Sequence, residues 1–96
     1  MKFVALWSLK DSVDMTKMAE IIGRRTEWKY PSGMSLIAEY FTSKVSPAAI
    51  SIFEADDAAA LMINSVGWID AMTVDIFPVV TFEEGLEKMS KHFAGE

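Results

Sequence analysis

An α+β fold of order β-α-β-β-α-β, followed by a C-terminal helix, is predicted for these 96 residues by three observations. Lys2–Leu9, KFVALWSL, reads as a strand that is apolar on both faces, the pattern of a strand in the middle of a sheet. Two stretches with apolar residues three and four apart each follow a strand-like run and read as crossover helices. Between them, MSLIAEYFT and AAISIFE alternate and are separated only by the hairpin-length segment Ser43–Pro47.

Each element has its own justification. Lys10–Asp14 is a polar connection in which Asp11 or Asp14 is placed to accept the orphan amide hydrogens of the first helix. That helix is expected from about Met15 to Trp28 or Lys29, with Met15, Met18, Ile21, Ile22 and Arg25 along one stripe and Lys17, Glu20 and Arg24 solvated. Pro31-Ser32-Gly33 breaks it and turns the chain into the second strand, Met34–Thr42. Ala48–Glu54 is the third strand, antiparallel to the second. Asp56 and Asp57 open the second helix, whose inner stripe is read as Ala58, Leu61, Met62 and Ser65, with Gly67 as a left-handed terminator. Ala71–Val80 is the last strand, and Pro78, which has no N–H to give a ladder, places it at a sheet edge. Thr81-Phe-Glu-Glu84 is a capping box, and Phe82, Leu86, Met89 and Phe93 stripe a final helix expected to pack on the body. This order is the split β-α-β, ferredoxin-like arrangement with the first and third strands central. A single domain over residues 1–96 accommodates it.

Bulk composition narrows the function. A hydrophobic fraction of 51% is rich for a small domain and points to apolar surface buried by self-association. The net charge of -5 opposes binding to nucleic acid or to anionic membrane surfaces. Arg24, Arg25 and Lys29 are the one basic cluster, read as cations complementing a helix C-terminus. The absence of cysteine removes thiolate chemistry and disulfides and fits a reducing cytoplasm. Lys10 and Asp11 cut the opening apolar run too short for a signal peptide, and no stretch approaches the ~20 apolar residues of a membrane span.

Both crossovers of this topology fall on one side of the sheet, leaving its other face open. One parity of the strands is aliphatic: Val4, Leu6, Leu36, Ala38, Ile50, Ile52, Val74 and Ile76; it is assigned to the helices. The other mixes rings with polar groups: Phe3, Trp7, Phe41, Phe53 and Phe77 with Glu39, Ser51, Thr73 and Asp75. Leaving five aromatics in water would forfeit several kcal/mol at about 25 cal/mol per Å². The open face is therefore expected to meet a second copy, and its aromatics to form the wall of a small-molecule pocket. Glu39 and Asp75 are the candidate catalytic carboxylates, as polar anchors or as a general base. Alternatively they are charges on edge strands that discourage unwanted pairing.

Other candidates have structural explanations. His92 is the only histidine, excluding a metal site built on several imidazoles, and it sits beside Lys88 and Lys91 near a helix end. Trp7, Trp28 and Trp68 fit a pocket or a core, and N-capping accounts for Asp56 and Asp57. No phosphate-binding glycine loop, zinc spacing or nucleophile elbow is present.

Trp7 in the first strand, the Glu54-Ala-Asp-Asp57 junction, Trp68 before the last strand and Phe77-Pro78-Val79 resemble a family of small bacterial and archaeal proteins of unknown function, within the wider dimeric α+β barrel superfamily. The resemblance implies a homodimer whose sheets form a barrel-like core, with a cavity between each sheet and its helices or partner. Superfamily relatives include cofactor-independent monooxygenases, muconolactone isomerases and haem enzymes; a single histidine disfavours the haem branch, and no cofactor is expected. The readings that follow are a dimeric binder of a small apolar or aromatic ligand, a cofactor-free oxygenase or isomerase with a carboxylate base, and a module that only oligomerises.

Overall fold

A computed structural model of the chain describes residues 1–95. Its elements are β1 (Lys2–Leu9), α1 (Met15–Thr26), β2 (Met34–Phe41), β3 (Ala49–Ala55), α2 (Ala58–Val66), β4 (Met72–Val79) and α3 (Phe82–Phe93). The four strands form one sheet in the order β2-β3-β1-β4 with every neighbour antiparallel, the ferredoxin-like α+β arrangement. β1 and β3 are central. Pro78 lies in the edge strand β4, where no neighbour asks for its missing N–H.

The caps follow the short polar side chains. Asp14 accepts the Lys17 amide hydrogen at 2.8 Å, Asp57 that of Ala59 at 2.9 Å, and Thr81 Oγ1 that of Glu84 at 3.1 Å. α1 stops at Thr26, two or three residues short of the expected end at Trp28 or Lys29. Gly67 departs from its expected role: its φ is -63°, so it is not a left-handed terminator. A Cβ there would lie 2.4 Å from Trp28 Cη2, so the glycine is required by the approach of an indole ring.

Both crossover helices cover one face of the sheet, where Ile21 of α1 and Leu61 of α2 join Ala5, Trp7, Phe53, Trp68 and Ala71 in the core. The inner stripe of α2 is Ala60, Leu61 and Asn64, whereas Met62, expected inside, is 61% exposed. In the two central strands the face assignment is the reverse of the expected one. Phe3, Ala5, Trp7, Ser51 and Phe53 face the helices, and Val4, Leu6, Ile50 and Ile52 line the open face. Size complementarity explains it. On the helix side, large rings alternate with Ala5, Ala49 and Ser51, so that indoles and helix side chains interdigitate.

β4 keeps its expected phase, with Val74 and Ile76 inward and Thr73, Asp75 and Phe77 outward. β2 changes phase within itself. A bulge at Ile37 separates the pairs Leu36↔Phe53 and Ala38↔Ile52, so Leu36, Glu39 and Phe41 share the helix face while Ala38 and Tyr40 share the open one.

α3 does not pack on the body. None of its residues is buried, Phe82 and Phe93 are 76% and 80% exposed, and the molecule extends over 56 × 29 × 18 Å.

Candidate functional site: an aromatic cavity beneath the first helix

A cavity of about 220 Å³ lies between α1 and the helix-facing side of the sheet. Trp7 and Phe53 rise into its wall from the two central strands, while Trp28 and Tyr30 reach it from the connection after α1. Trp68 closes it from the turn between α2 and β4. All three tryptophans of the chain therefore meet at one cavity. The rings are fixed by contact and by hydrogen bonds. Trp28 and Trp68 lie 4.9 Å apart between centroids, and Trp28 Nε1 donates to Asn64 Oδ1 at 2.8 Å. Tyr30 meets Phe53 edge to face at 5.6 Å.

The polar part of the lining is a short chain of bonds. Trp7 Nε1 donates to Ser51 Oγ at 3.2 Å, Ser51 Oγ donates to Glu39 Oε2 at 3.0 Å, and Arg25 Nε donates to Glu39 Oε1 at 2.8 Å. Ser51 and Asn64 are fully buried, and among the described residues no buried side-chain nitrogen or oxygen lacks a partner. The Arg25–Glu39 pair is itself half-buried, at 31% and 18% side-chain exposure. Burial raises the Tyr30 phenol above its ordinary value; Glu39 adds to that shift and Arg25 opposes it.

A second cluster holds α1 in place over the cavity. Asp70, in the turn before β4, accepts from both terminal nitrogens of Arg24 at 2.9 Å and from Lys17 Nζ at 2.9 Å. Arg24 also donates to the Gly67 carbonyl and lies over the Trp68 ring. Lys17 and Arg24, expected to be merely solvated, thus tie α1 to the turn before β4. Hydrogen bonds from Arg24 and Lys17 hold the Asp70 carboxyl well below the usual carboxylate range and raise both bases above theirs.

The seven site residues expected from the sequence do not share one surface. Trp7, Phe41, Phe53 and Glu39 line the cavity. Phe3 stands on the same sheet face, half-buried against the core and outside the lining. Asp75 and Phe77 are on the opposite face, partners of Leu6 and Val4, remote from Glu39. Arg25, Tyr30 and Asn64 escaped the sequence reading. Asn64 carried a signal, since it is a polar residue inside the apolar run AAALMINSV. Among the described residues no cluster of histidine, cysteine or carboxylate side chains could hold a metal ion, and His92 is exposed on α3.

The fold and cavity define a small ferredoxin-like α+β domain with an aromatic chamber under its first crossover helix. Residues 1–93 match the family described as Domain of unknown function (DUF3303), and the chain belongs to that family. No curated protein and no solved structure matches the chain. Among the described residues, no helix is long and apolar enough to cross a membrane.

Proposed function

We propose that the chain is a homodimeric protein that binds a small aromatic ligand in the cavity beneath α1. The observation that carries the reading is the cavity itself. Three indoles, Tyr30 and Phe53 line about 220 Å³, and the polar groups of the lining are few: the Arg25–Glu39 ion pair, the buried Asn64 amide, and Thr42 and Lys44. An apolar cavity of ~150 Å³ already accepts benzene, so one or two fused rings fit this volume. Dimerisation is supported by the open face, where Val4, Leu6, Ile50 and Ile52 form an aliphatic row beside Tyr40 and Phe77. The exposed stripe of α3 adds to it. A cytoplasmic location rests on the lack of cysteine.

Binding is preferred to catalysis because Glu39, the one expected carboxylate in the cavity, has both oxygens engaged by Arg25 and Ser51. Its charge is committed to the ion pair with Arg25, and Asp75, the other expected carboxylate, stands on the opposite face of the sheet. The test uses the tryptophans as reporters. Titration with 2-naphthol is expected to quench their fluorescence saturably, and Ala49→Leu, which fills the floor, to weaken binding at least tenfold. Absence of saturable quenching up to about 1 mM, where binding is worth only about 4 kcal/mol, overturns the reading.

A further inference from the structure

We propose that the ligand carries one carboxylate, and that the terminal nitrogens of Arg25 are its receptor at the edge of the aromatic cavity. The inference rests on the binding reading above and names the chemical class of the ligand. Arg25 spends only Nε on Glu39, and among the described residues neither of its terminal nitrogens donates a hydrogen bond. The guanidinium is nonetheless held in place. Glu39 fixes it on one side and the Tyr30 ring, 5.7 Å from its central carbon, on the other. A half-buried, oriented fork with two idle donors is suited to a planar carboxylate, which accepts two parallel N–H bonds.

The surrounding charge favours the same ligand. Lys44 also lines the cavity, and its ammonium makes no ion pair or hydrogen bond among the described residues. With Glu39 the only acidic member of the lining, one net positive charge remains there although the whole chain stands at -5. A cationic ligand would have to share Glu39, the one carboxylate of the lining, with the Arg25 guanidinium already paired to it. Apart from Thr42 and Asn64 the rest of the wall is apolar or aromatic, so the ligand has one anionic end and a ring body.

The test compares three bicyclic probes of one shape: 2-naphthoate, 2-naphthamide and 2-naphthylmethylammonium, each titrated against the native chain. Naphthoate is expected to bind roughly tenfold tighter than the amide, with the ammonium weakest. Arg25→Gln with Glu39→Gln removes both charges together, so neither is left half-buried and unpaired. It is expected to abolish the preference for naphthoate over naphthamide. Lys44→Gln, a change at an exposed residue, is expected to lower the preference by about threefold. Equal binding of naphthoate and naphthamide, or tightest binding of the ammonium, overturns the carboxylate inference and leaves the aromatic-ligand reading standing. A preference that survives the double substitution overturns Arg25 as the receptor. Failure of all three probes to bind overturns the aromatic-ligand reading itself.

Discussion

Gly67 shows how one missing side chain can set a cavity wall. The Trp28 ring occupies the space that a Cβ would need, anchored there by Asn64 and by contact with Trp68. Gly67→Ala must push the ring or the end of α2 aside, and overpacking of this kind costs about 1–3 kcal/mol. The expected result is a lower urea midpoint with altered near-ultraviolet dichroism, since two of the three tryptophans border the change. The residue scale is also where the sequence was least legible. Trp7 and Phe53 were recognisable as sharing one sheet face because strand alternation sets them together, although that face was taken for the open one and is the one under the helices. Arg25 was legible as a member of the inner stripe of α1 and as one of several cations near its end, but not as a site residue, because its partner Glu39 lies on another element and no local spacing joins them. Gly67 read as a helix stop for the same reason: the ring that demands it is 39 residues away in the chain.

At the scale of elements, α1 roofs the cavity and is tied down by Arg24 and Lys17 on Asp70 and by Arg25 on Glu39. The pH dependence of the first tie follows from its sign. Asp70 has a lower pKa in the folded chain than in the unfolded one, so its contribution is fully present above the unfolded value. It is lost as pH falls below about 4 towards the folded value. Asp70→Asn is therefore expected to lower Tm at neutral pH, and the difference from the native chain should shrink steadily on acidification. A constant difference down to pH 2 would show that the carboxylate charge is not what anchors α1. The caps of all three helices were legible because Asp14, Asp57 and Thr81 act within their own first turns. The packing of α3 was not. An amphipathic stripe announces that a helix has an apolar neighbour, and it leaves open whether that neighbour belongs to the same molecule.

For the whole molecule, two apolar surfaces stand without a cover: the open sheet face and α3. The rings set among Ala5, Ala49 and Ser51 fill the space under the helices and leave four central aliphatic side chains on the open face, which is why alternation alone misassigned the faces. Each such side chain is worth on the order of 1 kcal/mol when it passes from half-exposed to buried, so the row can drive association. Sedimentation is expected to report a dimer at micromolar concentration and a monomer for Ile50→Glu, whose carboxylate would have to be desolvated between sheets. A native chain that sediments as a monomer at those concentrations rules out the dimer. The topology itself was legible throughout, because strand order follows from two crossovers and one hairpin and needs no knowledge of which face is wet.

The bulge in β2 has a meaning for changes in chain length. Ile37 is supernumerary: Leu36 and Ala38 flank it opposite the adjacent residues Phe53 and Ile52. Deleting it rejoins the ladder without moving any other side chain of the strand across the sheet, so Glu39 and Phe41 still reach the cavity. A chain shortened by that residue is expected to fold and to give the same naphthol titration. The loss of Ile52 from β3 would instead turn half a central strand inside out. Natural variation in length within this strand should therefore gather at position 37.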